Sequence, residues 1–140
     1  MLRRFACLIL CMLFLPTASL AEDPVRNARA VISGQINAFL SDDAKAAYSY
    51  ASPNIRSTFR TELQFLEMVR KTYPPVYRAD NYAFGRAKLI GGGELVFQEV
   101  LISGSEGKDW TALYELRLMD DGAYKVNGVR LLRNSSSTGI

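Results

Sequence analysis

The chain has 140 residues, 49% of them hydrophobic, 22% charged and 11% aromatic, a composition that fits one globular domain and excludes collagen-like, low-complexity and disordered classes. It contains no histidine, which removes Ser/His and Cys/His nucleophilic pairs, an imidazole base and the commonest zinc ligands. The formal charge of +3 includes Arg3 and Arg4; without them it falls to +1, so the basic balance points to neither nucleic acid nor a membrane surface.

The N-terminus reads as a secretory signal. Arg3 and Arg4 form a positive n-region, the uncharged run 5–15 is too short to span a bilayer, and Ser19-Leu20-Ala21 places cleavage after Ala21. An uncleaved anchor, and lipidation at Cys11, are the alternatives. Cleavage sends the product to the periplasm or the medium, with no membrane association of the mature chain. It also removes Cys7 and Cys11, leaving no thiol, disulfide or cysteine metal site. No motif for a cofactor or a metal is present.

Up to the prolines at 74 and 75 the apolar spacing is helical. Val25, Ile32, Ile36, Phe39 and Leu40 share one stripe of a helix over 24–41, with Pro24 in its first turn. Asp42 or Asp43 caps a second helix carrying Ala44, Ala47, Tyr48 and Ala51. Ser52-Pro53 opens a short third helix with Ile55 and Phe59 inward. Thr61-x-x-Gln64 is a capping box, and its helix, with Leu63, Leu66 and Val69 inward, stops near Tyr73.

Beyond the prolines the period becomes two, and three glycine-containing turns divide the chain into strands over 77–90, 94–103, 108–119 and 123–133. A polar tail over 134–140 follows, beginning with a glycosylation-like Asn134-Ser135-Ser136. Helices first and an antiparallel meander second make an α+β fold, with helices on one sheet face. Single domain boundaries are therefore expected at 22–133.

The runs Ile32-x-x-Gln35-Ile36-x-Ala38-Phe39-x-x-Asp42-Asp43 and Tyr48-x-Tyr50-Ala51-Ser52-Pro53 resemble the opening of cone-shaped domains of the nuclear transport factor 2-like superfamily. More narrowly, Tyr73-Pro74-Pro75-Val76-Tyr77-Arg78, Gln98-Glu99-Val100, Trp110-x-Ala112-Leu113-Tyr114 and Asp121-Gly122-x-Tyr124 resemble an exported bacterial domain-of-unknown-function family, DUF4864. The superfamily resemblance implies a cavity between sheet and helices, used variously for ligand binding, proton-transfer catalysis and dimerisation.

Turn lengths give a register. A two-residue Ser105-Glu106 loop sets Leu95 against Leu116, Phe97 against Tyr114, Glu99 against Ala112 and Leu101 against Trp110. A three-residue loop over 120–122 sets Leu118 against Tyr124, Leu116 against Val126, Tyr114 against Gly128 and Ala112 against Arg130. Leu95, Phe97, Leu101, Trp110, Tyr114, Leu116, Tyr124 and Val126 then form one inner face, with Glu99 and Arg130 reaching each other over Ala112 as a structural ion pair or as polar groups of the cavity. Two alternatives stay open: a bulge at Asn127-Gly128 that turns Arg130 outward and Val129 inward, and either Gly85 or Arg86 opposite Glu99.

The candidate ligand-binding residues are therefore Glu99, Tyr114, Arg130 and Trp110, with Tyr48 and Tyr50 at the cavity mouth or in the core. Three functions follow from them. The favoured one is a non-catalytic domain binding a small apolar or amphipathic ligand, or an accessory protein. A proton-transfer enzyme would use Glu99 as base, Tyr114 as donor and Arg130 as anchor. A homodimeric interaction module would use the exposed sheet side at Thr111, Leu113, Glu115 and Arg117.

Overall fold

The computed structural model describes residues 23–104 and 107–134, so the signal segment with its cysteines and the glycosylation-like and tail residues from Ser135 onward lie outside the described residues. Among the described residues five helices precede four strands. The helices are α1 (Pro24–Leu40), α2 (Ala44–Ser49), α3 (Pro53–Thr58), α4 (Glu62–Thr72) and the single turn α5 (Pro74–Tyr77). The strands are β1 (Tyr82–Ile90), β2 (Leu95–Ser103), β3 (Asp109–Leu118) and β4 (Tyr124–Arg133). They form one antiparallel sheet in the order β1-β2-β3-β4, so the fold is α+β as expected.

The helix starts follow from capping chemistry. Asp23, Asp43, Ser52 and Thr61 each accept a backbone N–H of the following turn, and Pro24 and Pro53 occupy first-turn positions where a missing N–H loses nothing. Asp42, the alternative cap, instead takes a left-handed conformation (φ 52°) at the end of α1. Its carboxylate accepts from Tyr77 Oη and from Arg78 Nη2 (2.8 Å), while Arg78 Nη1 donates to the Phe39 carbonyl (2.7 Å). The proline turn is thereby tied to the end of α1. Pro74 stops α4 and starts α5, which delays the first strand from the expected residue 77 to Tyr82.

In α4 the inward side is Phe65, Leu66 and Val69, whereas Leu63, expected inward, is 68% exposed. The core joins Ile32, Ile36 and Phe39 of α1 and the Phe65 side of α4 to the inner sheet face: Val96, Val100 and Ile102, Ala112, Tyr114 and Leu116, Tyr124 and Val126.

The β2–β3 register differs by one residue from the turn-length expectation. Gly104 N–H donates to the Lys108 carbonyl (2.8 Å) and Gly107 is left-handed (φ 68°), so the loop has three residues with glycine last. The same chemistry closes β3–β4, where Met119 N–H meets the Ala123 carbonyl (2.8 Å) and Gly122 has φ 85°. Leu95, Phe97, Glu99 and Leu101 consequently face Arg117, Glu115, Leu113 and Thr111 on the outer side of the sheet. Val96, Gln98, Val100 and Ile102 take their places inside, because a one-residue slip moves a whole strand to its other face.

In β3–β4 the expected pairs Leu118 with Tyr124 and Leu116 with Val126 are present. A bulge follows them, and beyond it Tyr114 meets Val129, Ala112 meets Leu131 and Arg130 meets Leu113. The Ala51-Ser52 segment covers β4 just before the bulge. Val126 N–H donates to the Tyr50 carbonyl and Ser52 N–H to the Val126 carbonyl, both at 2.8 Å.

Candidate functional site

A cavity of about 220 Å³ lies between α1, α3, α4 and β4. Its lining is apolar: Phe39, Ile55, Phe59, Phe65, Met68, Val69 and Val76 from the helical side, Val126, Gly128 and Val129 from the sheet. Gln35, 2% exposed, brings a carboxamide to the wall, oriented by its Nε2 donating to the Ala47 carbonyl (3.1 Å). Tyr73 and Val129 also line a wider, open groove, which continues over Pro74, Pro75, Ile102, Trp110 and Leu131, with Arg78, Asp80, Lys108 and Arg130 around it. Cavity and groove are thus neighbours, separated by the Tyr73 and Val129 side of each. The bulge makes this wall: by shifting the register after Val126 it turns Val129 to the inner face and leaves side-chain-free Gly128 beside it.

The sequence-derived candidates do not form one constellation. Glu99 and Arg130 cannot meet over Ala112, since both lie on the outer face and Ala112 on the inner. Glu99 pairs instead with Arg86, accepting from its backbone N (3.1 Å), Nε (3.3 Å) and Nη2 (3.1 Å). The register shift between Phe84 and Ala87 sets both Gly85 and Arg86 against Glu99. Those bonds hold the Glu99 carboxyl below its ordinary range, the side-chain contact with Arg86 being the largest cause, which opposes its use as a base.

Tyr114 is fully buried between the Gln98 and Val129 positions, and its hydroxyl has no hydrogen-bond partner among the described residues. Burial pushes its ionisation well above the ordinary tyrosine value. Trp110 and Arg130 both border the groove. Tyr48 borders neither space: its hydroxyl donates to the Phe59 carbonyl (2.6 Å), its ring packs on Phe65, and Arg56 lies over it at 4.8 Å, so it ties α3 to α2.

A buried polar cluster was missed from sequence. Gln98, 0% exposed, accepts from Arg29 Nε (3.0 Å), and its Nε2 lies 2.8 Å from the Glu99 carbonyl and 3.2 Å from that of Gly85. Arg29 Nη2 also reaches the Gly85 carbonyl (3.3 Å), and its guanidinium lies 5.2 Å from the Phe84 ring. The cluster satisfies carbonyls that the β1 bulge frees, which a buried backbone requires. Arg29 falls on the stripe Val25, Arg29, Ile32, Ile36 of α1, and a charge on that stripe was the available signal.

Among the described residues no group of His, Cys, Asp or Glu could hold a metal ion, and no helix is long and apolar enough to cross a membrane. No curated protein and no solved structure matches the chain. A family model described as a domain of unknown function, DUF4864, matches residues 22–139, and on that match the chain belongs to the DUF4864 family.

Proposed function

We propose that this is an exported protein, processed after Ala21, whose mature part is a non-catalytic domain of the nuclear transport factor 2-like cone type that holds a small apolar or amphipathic ligand between helices and sheet. The observation that carries this reading is the apolar cavity of about 220 Å³ with one oriented carboxamide, Gln35, in its wall. An apolar pocket with few polar groups is the usual form of a small-molecule site, and drug-sized ligands occupy roughly 300–1,000 Å³. This volume suits less, a ligand of single-ring or short-acyl size; an engineered cavity of about 150 Å³ accepts benzene.

Tyr73 is the one titratable side chain in the lining among the described residues, and Glu99 faces the other way, so the groups that touch the space favour binding over proton transfer. Native mass spectrometry of protein purified from its compartment, compared with the denatured sample, tests the reading. Excess mass that disappears on denaturation is the expected result, and Ile55→Phe, which fills the cavity, should abolish it while leaving the fold intact. A bare native spectrum together with no rise in Tm on adding toluene or hexanoate would refute it.

A second reading, a homodimer through the outer sheet face, draws on Leu101 and Leu132, which are 43% and 50% exposed there. Sedimentation velocity tests it: a monomer at all concentrations removes it.

A further inference from the structure

We propose that the free edge of β4 docks an extended, acidic peptide segment of a partner protein, which adds to the sheet as a fifth strand. The inference goes beyond the cavity reading and does not need the cavity to be filled.

β4 is last in the strand order, so among the described residues one of its sides has no neighbouring strand apart from the bridge between Ala51 and Val126. The hydrogen-bond phase beyond that bridge is fixed at the strand's end, where Asn134 N–H donates to the Asp109 carbonyl (2.9 Å). Antiparallel ladders alternate. Leu132, Arg130 and Gly128 therefore direct their backbone groups to β3, and Arg133, Leu131 and Val129 direct theirs to the open side. Val126, whose N–H and C=O bond to Tyr50 and Ser52 on that same side, confirms the phase before the bulge.

Val129 and Leu131 also face the groove, whose other walls include Tyr73, Pro74 and Trp110. A strand added here would present alternate side chains to that apolar surface while its backbone pairs with β4, the two components of strand-addition recognition. The β1 edge offers no comparable surface, its second half from Arg86 to Ile90 being exposed throughout.

Charge selects the occupant. β4 carries Lys125, Arg130 and Arg133 and no carboxylate. Arg130 and Arg133 are exposed and form no ion pair among the described residues. Of the charges lining the groove besides Arg130, Arg78 is held by Asp42, and Asp80 is the single acid among the described lining residues, which also include Lys108. Antiparallel pairing of two copies would bring these arginines towards one another, a device that opposes self-association at sheet edges. An acidic strand meets them favourably.

Trp110 is the only tryptophan in the chain, so its emission reports on the groove directly. The probes are capped seven-residue peptides alternating valine with glutamate, the same peptides with lysine, and the glutamate peptide with a central proline. The expected result is a saturable change in Trp110 emission with the glutamate peptide and none with the other two. Arg130→Glu with Arg133→Glu should weaken the glutamate peptide by about fivefold or more and admit the lysine peptide. Leu131→Pro should abolish binding with the fold kept, because that N–H faces the open side and makes no bond to β3.

The proposal is overturned by absence of saturable binding, by equal binding of glutamate and lysine peptides, or by binding that both variants leave untouched. It is also overturned by a dimer that Leu131→Pro dissolves, which would make a second copy the occupant. Ile55→Phe should leave peptide binding unchanged, so failure of the cavity reading and failure of this one give different results.

Discussion

A disulfide can decide which face of the sheet each β2 side chain occupies. In the structure Leu101 lies directly opposite Thr111 on the outer face. The bonds of Gly104 N–H to Lys108 and of Leu118 N–H to Glu94 place the even-numbered β3 residues in hydrogen-bonded positions, so Leu101 and Thr111 form a non-hydrogen-bonded pair. Cα atoms in such pairs are about 4.5 Å apart, within the roughly 4.4–6.8 Å that a disulfide spans. Leu101→Cys with Thr111→Cys, in a background with Cys7 and Cys11 replaced by serine, should oxidise to a single intramolecular bridge. The enclosed loop is about ten residues, for which the chain-entropy relation gives roughly 2–3 kcal/mol. Leu101 is 43% exposed, and Thr111 gives up only an exposed bond to Asn134, so little is lost in the exchange. Oxidation should raise Tm by roughly 10 °C, and reductant should reverse the rise. Intact mass reports bridge formation and thermal unfolding reports its effect. Ready closure of Leu101→Cys with Trp110→Cys, and not of the first pair, would refute the register and return Glu99 to the inner face.

Tyr114→Phe should stabilise the protein by about 1 kcal/mol in urea unfolding, because it removes a fully buried hydroxyl without a partner; a loss of stability would mean the hydroxyl is bonded to something in solution. The same substitution tests the pH dependence. Since the folded-state ionisation of Tyr114 is raised, its contribution is complete below the ordinary tyrosine value of 10.0 and is lost as pH rises above it, so the variant should lose stability less steeply at alkaline pH. Asp42 shows the opposite sign: Tyr77 and Arg78 lower its ionisation, so its contribution is present above the ordinary value of 3.8 and is lost as pH falls below it. The Tm gap between wild type and Asp42→Asn should therefore close on acidification, and a gap that persists at about pH 2 would assign the effect to backbone conformation instead. Glu99→Gln should leave ligand binding intact and lower Tm slightly at low salt alone, because Arg86 is 91% exposed and the pair is screened; lost binding would place Glu99 in the site.

The helical half was legible because its signals are local. Asp23-Pro24, Ser52-Pro53 and Thr61-x-x-Gln64 each satisfy orphan amides within one turn, and no distant contact overrides them. Leu63 shows where locality ends: it lies on the α4 surface while Phe65 enters the aromatic cluster with Phe39, Tyr48 and Phe59, a choice made by α1, α2 and α3. Tyr82 as the first strand residue also depends on a long-range contact, since the hold of Asp42 on Tyr77 and Arg78 keeps the chain helical past the prolines.

For the site, the outcome hung on one residue of loop length. Ser105-Glu106-Gly107 reads equally as a two-residue loop with glycine in the next strand or as a three-residue loop with glycine left-handed, and no side chain within the turn distinguishes them. Burial does. The expected register puts the carboxylate of Glu99 inside and leaves Val96, Val100 and Ile102 in water; the observed one buries those three and puts Glu99 beside Arg86. It also buries Gln98, a neutral amide whose partners are the Arg29 guanidinium and carbonyls freed by the β1 bulge. Taking a carboxylate out of water costs far more than taking an amide that is fully bonded. The alternation Val96, Gln98, Val100, Ile102 against Leu95, Phe97, Glu99, Leu101 was thus decidable from the sequence by comparing what each phase would desolvate, with Arg29 on the α1 stripe supplying the partner that makes the buried glutamine tolerable.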